Sequence, residues 1–271
     1  MSLKIKGKSF GKNNDQIIKL ALIKNSDKIK KYLYFDKKSD NGEQSIKLTG
    51  RDKFQPVPIK IKNQIERLFI SGASGSGKST YLANWLKEWK KIKGNKDKPI
   101  YLFSSVEYDD VLDTPFEENI IRPLEDMDGD DLLLDPLQLD DFEEGSVLIF
   151  DDVMKIQCIK TRVALQNLMD SMLEIARHSD LTIIATSHIL ANYKATRTLQ
   201  NEATSVTIFP RYSGGLYGIK QYLEKKIGMD KIEMKQLLSL SKNSRFVTIY
   251  RNMSPMVVIS EKECYLFDPF E

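Results

Sequence analysis

Short apolar runs closed by polar or acidic residues alternate along this chain with longer stretches whose apolar positions recur every three to four residues. Leu68-Phe69-Ile70, Pro99 to Phe103, Val147 to Phe150, Leu181 to Thr186 and Ser205 to Phe209 are too short for helices and read as five buried strands. Between them, the spacing predicts a helix over Thr80 to Ile92, with Tyr81, Leu82, Trp85, Leu86 and Trp89 on one face. A second helix is expected over Thr161 to Arg177, with Val163, Leu165, Leu168, Met169, Met172, Leu173 and Ile175 on a broad apolar side. A third helical region runs from Leu216 to about Ser239, with an internal stop at Gly228. Strands alternating with helices make this an α/β chain.

The flanks read differently. β-like runs occupy Gln16 to Ile23 and Lys31 to Phe35, Ser39 to Gly42 reads as a turn with a hairpin-type Asn-Gly, and Pro56 and Pro58 close the stretch. Phe246 to Tyr250 and Met256 to Ile259 read as a closing β-hairpin. The expected organisation is a basic β-rich segment over residues 1–60, then one domain over 61–271 carrying the hairpin and an acidic insert at 107–144. No internal repeat is seen.

No stretch has the length and apolarity of a membrane span. The first residues, MSLKIKGKSFGKN, lack the apolar run of a secretory signal, so a cytosol-like compartment is expected. Cys158 and Cys264 are too few for a disulfide framework or a zinc site, and are expected to be reduced thiols. The net charge of +3 hides an asymmetry: 16 of the 38 acids and one of the 41 bases, Arg122, lie between Glu107 and Glu144, which leaves +18 elsewhere. Residues 1–60 alone hold 15 bases against six acids. Such separation suggests a basic surface for a polyanion and an acidic element that faces elsewhere, toward a neighbouring subunit and ordered in part only against it. Lysine as a mere solubilising residue accounts for the same count.

Gly72-Ala73-Ser74-Gly75-Ser76-Gly77-Lys78-Ser79 fits G-x-x-x-x-G-K-[ST] at every fixed position, between an expected strand and an expected helix. Its backbone amides, continuing to Thr80, would converge on the phosphates of a nucleotide such as ATP, with Lys78 as a point charge and Ser79 as a Mg²⁺ ligand. Val147 to Phe150 runs into Asp151-Asp152, where the first acid can bind Mg²⁺ and the second can orient the attacking water. Ser104-Ser105 ends the second strand on the same side. Ser187 and His188 close the fourth strand and are candidate sensors of the γ-phosphate if that strand lies between the first and third; an ordinary surface histidine is the alternative.

Taken together, Leu68 to Thr80, Val147 to Asp152 and Ala176-Arg177-His178 through His188 resemble the DNA-packaging ATPases of large DNA viruses and virophages, in the FtsK-HerA superfamily. The resemblance covers about residues 60–210; this family usually places Gln where the chain has His188. It implies an ASCE-type P-loop NTPase with a mainly parallel sheet in the order 5-1-4-3-2 and a small N-terminal β-rich appendage. It further implies ATP hydrolysis with Mg²⁺ by a pentameric or hexameric ring that moves double-stranded DNA into a capsid, in contact with capsid proteins. The place of action would be the host cytoplasm or a viral factory, or the virion itself. Arg177 matches the family's arginine, and Arg197 and Arg211 flank the site as further candidates to act in a neighbour's site, or are plain surface residues. Tyr212, Tyr217 and Tyr222 are candidates for a pore loop or for core packing. A nucleoside or nucleotide kinase, and a nucleotide-gated DNA-binding or scaffold protein, are the alternatives at this level.

Overall fold

A computed structural model describes residues 1–8, 10, 16–24, 30–39, 42–61, 64–125, 129–176, 180–192, 195–211 and 216–269. The basic N-terminal stretch supplies β1 (Ser2–Gly7), β2 (Ile17–Lys24), β3 (Lys31–Asp36), β4 (Ser45–Lys47) and β5 (Lys53–Pro56). Four of these form an antiparallel sheet in the order β1-β3-β2-β5, while β4 leaves it for the main sheet. The segments on either side of 39–42 therefore enter different sheets and close no hairpin; Asp40 and Asn41 of the expected turn lie outside the described residues.

Ten strands make the main sheet, in the order β4-β14-β13-β12-β11-β6-β10-β9-β7-β8. The five apolar runs are its centre: β6 (Arg67–Ser71), β7 (Ile100–Ser104), β9 (Val147–Asp151), β10 (Thr182–Ser187) and β11 (Ser205–Ile208), with β8 (Ile120–Ile121) at one edge. All neighbours among them are parallel, and their order is 5-1-4-3-2, as expected. The expected hairpin is present as β12 (Val247–Tyr250) and β13 (Met256–Ser260), and β14 (Glu263–Phe267) and β4 extend it.

Strand periodicity decides which helix meets which residue. Leu68 and Ile70 point to the face covered by α1 (Lys78–Trp89), against Leu82, Trp85 and Leu86. Phe69 points to the other face, against α4 (Ile159–Ile175), which buries Leu165, Met169 and Met172 there. That face is completed by α5 (Arg197–Glu202), α6 (Leu216–Tyr222) and α7 (Lys231–Leu240). Gly228, in a left-handed conformation (φ 84°), ends the α6 region, and Asp230 caps α7 through the Ile232 and Glu233 amides.

The described part of the acidic insert folds on its own chain. It contains α2 (Asp113–Phe116) and α3 (Gly129–Leu134); Leu112 and Phe116 enter the α1-side core, and Leu132 and Phe142 the α4-side core. Its one base, Arg122, donates to both carboxylate oxygens of Asp113. Burial of these apolar residues anchors that part to the two cores.

The N-terminal sheet shares a core with the far end of the chain: Leu20, Leu33, Phe35 and Phe54 pack on Tyr250, Val257 and Ile259. Its outer face is a smaller cluster of Leu22, Tyr32, Tyr34 and Val57.

Candidate nucleotide site

The loop between β6 and α1 uses its glycines where a side chain would not fit. Gly75 (φ 72°) and Gly77 (φ 106°) adopt left-handed conformations that a Cβ disfavours. A Cβ on Gly72 would stand 2.7 Å from Ser76 Oγ and 2.9 Å from Phe209 Cβ, so the loop closes tightly against the end of β11. Gly72 N–H donates to Ser187 O at 3.0 Å, tying the loop to β10. No side chain caps α1 and no acid occupies its first turn, which leaves its first amides to an anion. Ser76 is buried, its hydroxyl without a hydrogen-bond partner among the described residues, and Ser79 and Thr80 follow Lys78 on the first turn, Thr80 exposed. Such a cradle fits a polyphosphate.

Lys78 is buried, and its Nζ donates to Gly72 O at 2.9 Å and stands 3.5 Å from Asp152 Oδ2. Parallel register brings the next groups together, since Asp151 is level with Ser104 on one side and Thr186 on the other. Thr186 Oγ1 donates to Asp151 Oδ1 at 2.7 Å and Ser104 Oγ donates to Asp151 Oδ2 at 3.1 Å. Burial pushes the Asp151 carboxyl above its ordinary range, against the opposing pull of the Thr186 hydrogen bond.

Asp152 leaves the strand in a left-handed conformation (φ 46°, ψ 32°), and its amide donates to Thr186 Oγ1 at 3.1 Å. That turn aims its carboxylate away from Asp151's partners, toward Lys78 and His188. His188 Nε2 lies 2.7 Å from Asp152 Oδ2 and 2.7 Å from Lys155 Nζ. Burial lowers the His188 pKa, with Lys78 and Lys155 adding to the effect and Asp152 opposing it.

Sequence reasoning grouped Lys78, Asp151, Asp152 and His188 at one edge of the sheet, and the fold places them there, with Lys78, Asp152 and His188 in direct contact. It missed Lys155 and Thr186, which carry no motif of their own. It also named Ser187 as a sensor, but that hydroxyl donates to Ile189 O (3.0 Å) and accepts the Ile189 amide (3.1 Å), so it is spent on a local turn. Arg211 is exposed and donates to Lys242 O, and Arg197 is exposed at the start of α5. Arg177, His178, Tyr212 and the Gly214-Gly215 break lie outside the described residues. Tyr222 is buried in the core and Tyr217 is exposed. Among the described residues, no group of three His, Cys, Asp or Glu is gathered for a metal, and no helix is long and apolar enough to cross a membrane.

A phosphate loop on β6, paired acids on β9 and an intervening strand with a polar end define the P-loop NTPase fold of the ASCE type. No family model matches the chain. A Sputnik virophage protein, described as uncharacterized protein V3, is 32% identical over 235 residues, spanning 85% of this chain and 88% of that protein; this chain belongs to its family. Among solved structures, it is similar to the genome packaging NTPase B204 from Sulfolobus turreted icosahedral virus 2 in complex with AMPPCP, at 15% identity and a TM-score of 0.45 over 73% of this chain and 98% of that one. B204, the DNA-packaging ATPase from Sulfolobus turreted icosahedral virus, gives 17% identity and a TM-score of 0.46 over 74% and 99%. The pCW3 conjugation coupling protein TcpA gives 11% and 0.43 over 93% and 77%.

Proposed function

We propose that this chain is a Mg²⁺-dependent ATPase that works as a ring and drives double-stranded DNA into a viral capsid. The observation that carries the hydrolytic part is the contact of Lys78 with Asp152 on one side and of Asp152 with His188 on the other. A γ-phosphate arriving at the loop competes with Asp152 for the Lys78 charge. The freed carboxylate, still held by His188, is then placed to orient a water and take its proton while the γ-phosphoryl group transfers to it, giving ADP and phosphate. Gly72 to Thr80 hold the phosphates, and Ser79 and Asp151 are the side chains for Mg²⁺. When bound, the ion would add positive charge at the β- and γ-phosphate oxygens.

The DNA-packaging part rests on the motif resemblance, on kinship with a virophage protein, and on the +18 balance outside the acidic insert. Lysines and arginines contacting phosphates give sequence-independent binding. Ring formation would let Arg177 or Arg211 enter a neighbour's site. Capsid proteins are the proposed partners, and the host cytoplasm or a viral factory the proposed place.

Product analysis with γ-labelled ATP tests the chemistry: free phosphate, rising with DNA, is expected, whereas a phosphorylated small molecule would make the chain a kinase. ATP binding with negligible turnover in the presence of DNA would leave a nucleotide-gated scaffold. Particle images with a non-hydrolysable ATP analogue test the ring.

A further inference from the structure

Beside the phosphate loop lies a cavity of about 340 Å³ whose walls come from three distant parts of the chain. Gly77, Thr80 and Asn84 of α1 form one wall, and Phe209 and Phe246 another. The third is β5 of the N-terminal sheet, over Lys53 to Pro56. Neither this sheet nor the closing strands carry a motif, yet they complete a pocket that opens at the phosphate-binding end of α1.

We propose that this cavity receives the base of the nucleotide, and that Gln55 selects adenine by accepting a hydrogen bond from its exocyclic amine. The proposal rests on the nucleotide-site reading above. Gln55 Nε2 donates to the main-chain carbonyl of Asn84 at 3.1 Å. A carbonyl can only accept, so the amide's orientation is fixed. The other end, Gln55 Oε1, is a buried acceptor with no hydrogen-bond partner among the described residues. Buried acceptors are seldom left so, and since Gln55 lines the cavity next to the phosphate cradle, a small outward shift of its side chain as the nucleotide enters would offer Oε1 to a donor from the ligand.

The helix gives the scale. Thr80 and Asn84 are one turn apart, about 6 Å along the axis, so the cavity runs along α1 from the phosphate loop, and in the proposed pose the base lies near Asn84 with the edge remote from the sugar toward Gln55. In adenine that edge bears an amine, a donor that fits. In guanine and hypoxanthine it bears a carbonyl, which would face Oε1 acceptor to acceptor. Asn84 does not compete, because its own amide donates to Thr80 O at 2.8 Å and accepts Lys24 Nζ at 3.4 Å. Phe246, packed edge-on against Tyr81 at 5.0 Å between ring centres, gives the base an apolar wall.

Calorimetric titration of the full chain with Mg-ATP, Mg-GTP and purine riboside 5′-triphosphate, which is ATP without the amine, tests this. The wild-type protein is expected to prefer ATP over both by roughly tenfold to a hundredfold. Gln55→Met, its fold checked by circular dichroism, is expected to bind ATP and the amine-free analogue within about twofold of each other. Equal binding of ATP and the analogue by the wild-type protein would overturn the proposal while leaving the phosphate site standing, and so would an undiminished preference in Gln55→Met. If that variant does not fold, the wild-type comparison decides alone. Absence of binding by any triphosphate would overturn both the nucleotide site and the base pocket.

Discussion

Thr186 joins the two acids of the site with a single oxygen: its hydroxyl donates to Asp151 Oδ1 at 2.7 Å and accepts the Asp152 amide at 3.1 Å. The residue expected to hold the metal and the residue expected to orient water are thus positioned by one group on the strand between them. Thr186→Val keeps the shape but removes the donor to Asp151 and the acceptor that steadies the left-handed turn at Asp152. Stability should fall by about 1–3 kcal/mol in urea unfolding, the usual cost of stranding buried polar groups. Turnover should fall by tenfold or more, with Thr186→Ser recovering most of both.

Lys78→Ala and Asp152→Asn should separate binding from chemistry. Losing Lys78 removes the charge on the β/γ-phosphates, so ATP binding weakens and turnover is abolished. Asp152→Asn leaves Lys78, Ser79 and Asp151 intact; it should bind Mg-ATP comparably while kcat drops by roughly 10²-fold or more. A kcat equal to the wild type would remove Asp152 from the mechanism.

Glu66 sets a pH dependence remote from catalysis. It is buried below the sheet, accepts the Ile59 amide at 2.8 Å, and burial raises its pKa from 4.5 to about 8. The unfolded chain ionises first, so the stability tied to the neutral carboxyl is fully present below pH 4.5 and is lost as pH rises through about 8. Glu66→Gln should therefore match the wild type near pH 4.5 and gain on it by roughly 1–3 kcal/mol by pH 8.5, read as a Tm difference that opens with pH. A Tm difference that does not change with pH would mean that Glu66 titrates normally.

Duplex DNA should bind with little sequence preference, and log Kd should rise steeply with log salt as counterions are released. Fluorescence anisotropy between 50 and 200 mM salt checks this, at conditions where a protein with six or more phosphate contacts loses about 10³-fold or more in affinity. A flat response would argue against a DNA-tracking surface.

If Arg177 or Arg211 acts in a neighbour's site, mixing variants should restore activity. An Arg211→Ala chain keeps its phosphate loop, and a Lys78→Ala chain keeps its arginine, so some interfaces of a mixed ring pair a sound loop with a sound arginine. Phosphate release above that of either variant alone is expected for the arginine that acts in trans, with Arg177→Ala tested in the same way. Wild-type turnover independent of protein concentration and from a monomer would remove the ring.

Much of the centre was legible because two of its strands end in chemistry of their own. Leu68-Phe69-Ile70 before the glycine loop, and Val147 to Phe150 before two acids, mark both an element and its place at the ligand edge. The role of Thr186 was not legible, since it depends on register: only the pairing of β10 with β9 sets it level with Asp151. Ser187 misled for a related reason, because nothing in the linear sequence distinguishes a hydroxyl aimed at a ligand from one bonded two residues on. Gln55 lay hidden in β5, a four-residue strand ending in Pro56, a residue that argues against a central strand. That β3 and β4 enter different sheets was likewise not legible, because turn chemistry at 39–42 describes a local bend and says nothing of which sheet the next strand joins.

The stacking of the first strands on the last has a consequence for how the molecule is made. Tyr250 donates its hydroxyl hydrogen to the Leu20 carbonyl at 3.4 Å, across 230 residues of sequence, inside the core that the two ends share. During synthesis Leu20, Leu33 and Phe35 emerge long before Val257 and Ile259 exist to cover them. The N-terminal strands must wait, uncovered, until the whole nucleotide-binding domain has followed. Such distant partners make the search for the native state slow and expose strand edges to other chains meanwhile. Completion of the core is thus coupled to completion of the chain, and a product truncated before β12 is left with an open apolar face.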